Sequence, residues 1–333
     1  MDKILTVSVA AYNVEKFIRN TLDSCIAEEI MTDLEVLVVD DGATDTTAEI
    51  VREYENKYPQ TFRLIHKENG GYGTTVNRSM QEASGKYFRL LDGDDWFDTD
   101  GLKKLVSYLR DTDVDAVFTK MYLCYPDTKK LEADTWASLV GQQMPLYDVP
   151  ENVFAGMWEF TVKTAILREY PFTLPARTLY TDHLFLAYPI PYIEDVAFLD
   201  FPLYCYRLGY DEQSVSISSR LKHLDEIVRV SQVMSSNFHK HRDCKNRHYL
   251  LERTRFCFME AFRALLLPNF SRINYNQICA FIEQTDSIDS AISSAAWNGP
   301  GNRAFRVVKT GKYCGYLAIK AKQFLKSKTG ATK

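Results

Sequence analysis

Through roughly the first 125 residues, short β-branched and aromatic runs alternate with stretches whose apolar positions recur at the helical period. LTVSVAAY, LEVLVVDD, FRLIH, KYFRLLD and DAVFTKMYL read as strands. Between them VEKFIRNTLDSCIAEEI, DTTAEIVREYENKY, TTVNRSMQEAS and GLKKLVSYLRD read as helices. This order predicts an α/β fold, a Rossmann-like and mostly parallel mixed sheet flanked by helices on both faces. In such sheets ligands bind beyond the carboxyl ends of the strands. The polar residues at those ends are Tyr12 and Asn13 after the first strand, Asp40 and Asp41 after the second, and Asp92 to Asp95 after the fourth. They are expected to converge on one rim.

From residue 126 to 216 the rhythm loosens, with WEFTVKTAILREY, LYTDHLFLAYPI and VAFLDFPLYCYRL mixing helices with a further strand. From 217 to 300 long helical patterns dominate, with Pro268 as a stop, and WNGPGN is a turn expected to detach the segment 301–333. The organisation read from the pattern is therefore 1–125, 126–216 as the second half of the same domain, a helical C-terminal region 217–300 and a tail 301–333.

Composition narrows the classes. With 46% hydrophobic and 25% charged residues among 333, and no repeat or low-complexity tract, the chain is a folded protein and not a disordered one. Seven cysteines stand singly, without the CxxC or Cys/His spacing of a zinc site, and read as reduced thiols of a cytoplasmic protein. The start, MDKILTVSVAAYN, turns polar too soon for a signal peptide or a membrane span, and reads as a first strand. The net charge is −4, yet nine Lys/Arg and no Asp/Glu follow residue 300, which leaves −13 on residues 1–300. Nucleic acid is excluded as a partner by that acidic body. The tail mixes Phe305, Val308, Tyr313, Tyr316, Leu317 and Phe324 with cations, so it fits either an anionic membrane surface or the protein's own acidic body.

Asp92-Gly93-Asp94 places two carboxylates two residues apart just past a strand, with a glycine that lets the backbone approach closely. Burying such carboxylates unpaired costs several kcal/mol, so a cation is expected among them. The simplest is Mn2+ or Mg2+, held by one or two carboxylates and completed by substrate phosphates. Taken alone, the triplet better describes a solvated acidic loop capping the helix that begins near Gly101. Asp40 and Asp41 precede the next helix by too much to cap it, and a carboxylate there can accept from a nucleobase imide or a ribose hydroxyl; Thr44 and Asp45 are the caps. NGGYG opens a helix carrying Asn77 and Arg78, and free N–H groups near Gly71 suit a diphosphate, or else form a plain turn.

VSVAAYNVEKFIRNTLDSC, LEVLVVDDGATDTTAEIVREY, KENGGYGTTVNRSM, GKYFRLLDGDDWF and YTDHLF occur in this order, and over residues 4–216 the chain resembles the family 2 inverting glycosyltransferases of the glycosyltransferase-A fold, of bacterial cell-surface polysaccharide type. The resemblance implies a nucleotide-sugar donor, usually a UDP-sugar, bound by residues 1–125, with 126–216 binding the acceptor. Residue by residue it assigns Ala10, Ala11, Tyr12 and Asn13 to the first nucleotide loop, Asp41 to the base, and Asp92, Gly93 and Asp94 to ribose and metal. Asp182 of LYTDHLF matches the general base, with Thr181 where the family commonly has Glu. Arg207 and Ser214 would lie on a loop over the donor. Trp158-Glu159-Phe160 replaces the family's Trp-Asn-Lys, and His183 reads as a packed or solvated neighbour. The acceptor implied is a glycan or polyprenyl-linked sugar, reached peripherally at the cytoplasmic face of the cell membrane. Two other classes compete: an enzyme with an Asp of DGDD as nucleophile, which usually carries that residue on the first strand, and a non-catalytic nucleotide-sugar-binding module.

Overall fold

The apolar runs form the strands expected of them because each is buried on both faces: Leu5, Val7, Val9, Leu34, Val36, Leu37, Val38 and Val39 are fully shielded. The computed structural model describes residues 3–132, 135–153, 155–209 and 216–328, without the side chains of 324–328. Ser214 and the side chain of Phe324 fall outside the described residues. The chain divides into two units, residues 1–211 and 212–333.

The first unit runs β1 (Leu5–Ala11), α1 (Ile18–Asp23), β2 (Leu34–Asp40), α2 (Thr47–Lys57), β3 (Phe62–His66), α3 (Tyr72–Glu82), β4 (Tyr87–Asp92), β5 (Trp96–Phe97), α4 (Thr99–Asp111), β6 (Ala116–Tyr125), β7 (Thr128–Leu131), β8 (Gln143–Pro145), β9 (Phe160–Lys163), α5 (Thr164–Glu169), α6 (Asp182–Ala187) and β10 (Asp195–Arg207). The sheet order is β3-β2-β1-β4-β9-β6-β10-β5, with β7 on β6 and β8 on β10. β3, β2, β1 and β4 are parallel. Beyond them β9 runs antiparallel to both β4 and β6, and β6 pairs in parallel with β10, so the sheet is mixed.

Register sets the rim. Ala11 pairs with Asp40 and Ala10 with Asp92, so three adjacent parallel strands end level. The chain winds outward from β1 through β2 to β3 and then returns to β4 on the other side of β1, which makes the β1/β4 boundary the topological switch point where α/β sheets open a ligand crevice. α1 is only six residues, shorter than its apolar pattern predicts. Ser24 ends it: its hydroxyl donates to Thr21 O at 2.6 Å and accepts from Phe97 N at 3.0 Å, tying the helix end to β5 instead of extending the helix.

The second unit is helical: α7 (Ile217–Lys222), α8 (Leu224–Lys240), α9 (Arg247–Leu265), α10 (Arg272–Asn298, interrupted by extended Asp289) and α11 (Arg303–Lys328, broken at Lys312, φ 48°). Phe258 stacks on Phe281 at 5.1 Å and meets the edge of Phe305 at 5.4 Å; Phe262 meets Phe305 at 5.3 Å. Phe305, Val308 and Tyr316 are buried. The Lys320 ammonium donates to Leu266 O and Pro268 O, carbonyls past the end of α9. The turn at WNGPGN is present, but the segment after it is not detached. Its apolar stripe is needed to close the aromatic core of this unit. Phe305→Ala should therefore destabilise the helical unit by about 3–5 kcal/mol in denaturant unfolding; an unchanged midpoint would show that α11 is not part of that core.

Candidate active site

The DGDD loop hangs from the end of β4 and is fixed at four points. Gly93 N donates to Ala10 O at 3.0 Å, and a Cβ on Gly93 would stand 2.7 Å from that oxygen, so only glycine brings the loop this close to β1. The hydroxyl of Thr21 in α1 lies 2.9 Å from Gly93 O and 2.6 Å from Asp95 O. Asp95 is buried, its Oδ2 accepting from the Tyr204 hydroxyl at 2.7 Å and its Oδ1 from Arg207 N at 2.7 Å. Arg207 Nε donates to Asp94 O at 2.6 Å, with the guanidinium between the rings of Phe17 and Trp96 at 4.6 and 4.7 Å.

One carboxylate oxygen each of Asp92, Asp94 and Asp95 lie within 4.8 Å of one another. Asp95 is committed to Tyr204 and Arg207, whereas Asp92 Oδ1 is shielded from solvent and has no hydrogen-bond partner among the described residues. Burial, then the neighbouring charges of Asp94 and Asp182, push the Asp92 carboxyl up to about 8. Burial also raises Asp94, against the pull of Arg207, and burial with Asp92 and Asp94 raises Asp95 well above the usual range. Clustered hard oxygens, one of them shielded and orphaned, fit a divalent cation; Asp92 and Asp94 are the residues that could hold it, and Asp95 sets their loop.

Asp182 is the first residue of α6 and close enough to Asp92 for its charge to raise that carboxyl. It does not cap the helix: Thr181 holds the cap position and makes no side-chain cap bond, its hydroxyl buried without a partner among the described residues. His183 Nδ1 lies 4.0 Å from Asp182 Oδ2. Tyr72 and Tyr206 complete the surroundings. Burial and then the charge of Asp92 raise Tyr72, with Asp182 next; Tyr206 is raised by burial and by the carboxylates of Asp95, Asp92, Asp94 and Asp182. The Tyr206 ring lies 5.2 Å from Trp158, and the Tyr72 hydroxyl donates to Met157 Sδ at 3.3 Å.

The other expected residues divide. Ala10 and Ala11 end β1 beside the loop, Tyr12 is half exposed, and Asn13, at φ 52°, accepts from Thr44 N at 2.9 Å and so joins the first loop to the second. Asp41 is buried. Its Oδ1 accepts from Lys67 and from Gly70 N at 2.9 Å, its Oδ2 from Gly71 N at 2.7 Å. The amides of the glycine loop that the sequence offers to a diphosphate are thus taken by Asp41. Asn77 is turned away from the cluster, exchanging hydrogen bonds with the backbone of Leu174 in both directions at 2.9 Å. Glu159 is also occupied, accepting from Trp136 Nε1 at 3.3 Å and Gly156 N at 2.8 Å. Tyr204, Tyr206, Thr21 and Tyr72 escaped the sequence reading; the alternation Tyr204-Cys205-Tyr206 put both tyrosines on one face of β10 and was the available signal.

Residues 6–170 match the sequence model described as Glycosyl transferase family 2. The chain is 26% identical over 212 residues to EpsH of Bacillus subtilis, provisionally named a glycosyltransferase, covering 61% of this chain and 60% of that protein. It spans about three-fifths of the length of this and other curated relatives it matches. In structure it is similar to S. aureus TarS residues 1–349, at TM-score 0.69 and 17% identity over 98% of this chain and 92% of that one, and to the same protein in complex with UDP-GlcNAc at TM-score 0.64 and 19% identity over the same shares. It is similar also to the mannosyltransferase PcManGT of Pyrobaculum calidifontis in complex with GDP-Man and Mn2+, at TM-score 0.54 and 17% identity over 98% and 88%. The mixed sheet flanked by helices is that of the glycosyltransferase-A fold, and residues 6–170 of the chain are a glycosyl transferase family 2 domain.

Proposed function

We propose that this chain transfers a sugar from a nucleotide-sugar, a UDP-sugar above others, to a hydroxyl of a glycan or lipid-linked acceptor, with inversion and with a divalent cation. The observation that carries the reading is the cluster of Asp92, Asp94 and Asp95 at the switch point of the sheet, with Asp182 near enough for its charge to raise Asp92. Two similar folds support the donor class, one bound to UDP-GlcNAc and the other to GDP-Man with Mn2+. Against a nucleophilic aspartate stand two of the DGDD carboxylates: Asp95 accepts two hydrogen bonds, and Asp92 Oδ1 is shielded from solvent.

The roles follow from charge. Asp92 and Asp94 hold the cation, and Arg207, Tyr204 and Thr21 hold the loop that aims them. A cation bound there would supply positive charge to the diphosphate, which takes the electron pair of its broken bond to the anomeric carbon and leaves as the nucleoside diphosphate. Asp182 takes the proton of the acceptor hydroxyl as that oxygen's electron pair forms the new bond to the anomeric carbon from the opposite face. Asp41 orders the glycine loop at the nucleotide end, and Tyr72 and Tyr206 crowd water from the carboxylates.

Asp94→Asn should abolish the Mn2+-dependent part of UDP binding in calorimetry while leaving the fold intact; unchanged metal-dependent affinity would place the cation elsewhere.

A pH dependence follows from Asp92, whose carboxyl is raised from 3.8 to about 8 in the fold. Between these values the folded chain keeps a proton the unfolded chain has lost, so this group's stabilising share is complete below the lower value and declines as pH rises through the window. A cation competes with that proton. The rise in melting temperature on adding Mn2+ should therefore be larger at about pH 8 than at about pH 6, and Asp92→Asn should flatten the difference. Equal shifts in the unsubstituted chain would remove Asp92 from the ligands.

Asp182→Asn should bind UDP and Mn2+ normally, melt near the unsubstituted chain, and lose about 10²–10⁴-fold in transfer rate. Most of the turnover surviving would transfer the base role to another carboxylate.

A further inference from the structure

Packing consumes one side of α11 and leaves another with a different chemistry. Tyr316 turns its hydroxyl to the start of α10, accepting from Ser271 N at 3.4 Å and Asn274 Nδ2 at 3.1 Å, and so fixes the first turn of α10 against the second half of α11. Phe270 lies 6.0 Å from the Tyr316 ring, and the Arg272 guanidinium sits 4.2 Å over Tyr313. At this corner large apolar side chains face solvent: Phe270 is 55% exposed, Ile273 73% and Leu317 36%. Cys314, Ala318 and Ala321 are exposed beside Leu317 at helical spacing. Arg272, Lys312 and Lys322 are exposed around them. No acidic residue occurs between Glu260 and Glu283, nor after Asp289, so the charge of this corner has one sign on both elements that form it.

We propose that this corner, formed by the start of α10 and the second half of α11, is a docking surface for an anionic lipid bilayer. The inference deepens the proposed function and rests on it for one step, that the acceptor is lipid-linked and must be met at a membrane. Cations ringing an apolar patch satisfy both layers of a bilayer surface: phosphates take the lysines and arginine, while Phe270, Ile273 and Leu317 enter the boundary of the acyl chains. A nucleic acid would use the cations and the aromatic faces but leave Ile273 and Leu317 in water. No helix among the described residues is long and apolar enough to cross a membrane, so the contact is one of surface docking.

The test uses the full chain in flotation with vesicles of phosphatidylcholine alone or with added phosphatidylglycerol, without donor or acceptor, so that failure of the transfer reading leaves its outcome unaffected. The unsubstituted chain should float with the phosphatidylglycerol vesicles and stay in solution with phosphatidylcholine alone. The pair Ile273→Glu with Leu317→Glu and the pair Lys312→Glu with Lys322→Glu should each lower partitioning by about tenfold or more. Ile217→Glu, at a residue 64% exposed on α7, should not. If the first pair impairs folding by circular dichroism, Ile273→Ser with Leu317→Ser takes its place. Partitioning that ignores phosphatidylglycerol, or survives both pairs, overturns the proposal. So does a dimer without vesicles that the Ile273/Leu317 pair dissolves, which would make the corner an interface between copies. So does binding of single-stranded RNA that depends on Lys312 and Lys322 but not on Ile273 and Leu317.

Discussion

Asp92, Asp94 and Asp95 bring one oxygen each within 4.8 Å of one another, Asp95 buried and the other two half-buried, and such a group is held together only where protons, hydrogen bonds or a cation answer its charge. The first unit answers it unequally. Asp95 receives two hydrogen bonds, from the Tyr204 hydroxyl and Arg207 N, and is thereby removed from the competition. Asp94 has the Arg207 guanidinium near its backbone carbonyl, and Asp92 keeps an oxygen, Oδ1, without a hydrogen-bond partner among the described residues. One acid is thus committed by the fold, and the other two are the pair that the proposed function gives to a hard cation. That Arg207 and Tyr204 come from β10, the strand paired with β6 and β5, explains why the sheet must continue past β4 before the loop has its shape.

A second chain of contacts reaches Asp182 from the nucleotide end. Asp41 gathers the amides of Gly70 and Gly71; Gly70 O in turn accepts from Arg177 N at 2.7 Å, and a Cβ on Gly71, at φ 85°, would stand 3.1 Å from that same nitrogen. Residue 177 opens the stretch that ends at Thr181 and Asp182, with Arg177 and Tyr180 both at positive φ. Such backbone is costly for residues with a Cβ and persists only where its surroundings fix it. The glycine loop is that surrounding element on one side. A carboxylate at the end of β2 thus orders, through the amides of Gly70 and Gly71, the loop whose carbonyl holds residue 177, five residues before the aspartate that opens α6.

The sequence made the first half of the sheet legible because parallel strands buried on both faces read as uninterrupted apolar runs, and because strand ends carry their chemistry in consecutive letters: DGDD, DDG, YN. The contributions of the second half were less legible. Tyr204 and Arg207 matter through a hydroxyl, a backbone N–H and a guanidinium that meet the loop more than 100 positions away in the chain. Local pattern contains no trace of that meeting beyond the alternation of β10. Asn77 shows the converse: an asparagine on the helix after the glycine loop resembles a ligand-binding residue, and its amide is consumed by Leu174, again a partner that no spacing announces. The tail was ambiguous for a related reason. Its apolar residues were visible, but whether they faced a core depended on Phe258 and Phe281, two helices earlier.

Thr181 stands where the resembling family commonly has glutamate, and that residue would have given the base a like-charged neighbour from its own segment. Here the like-charged neighbour comes from another strand. Asp182 and Asp92 are close enough for the one to raise the other, while Thr181 points a buried hydroxyl into the protein. The effect runs onto Asp92, whose carboxyl is raised by burial and then by the charges of Asp94 and Asp182. Under the proposed function, in which Asp92 and Asp94 hold a cation and Asp182 is the base, the like-charged neighbour of the base would change between the empty and the loaded site, as a glutamate at 181 would not.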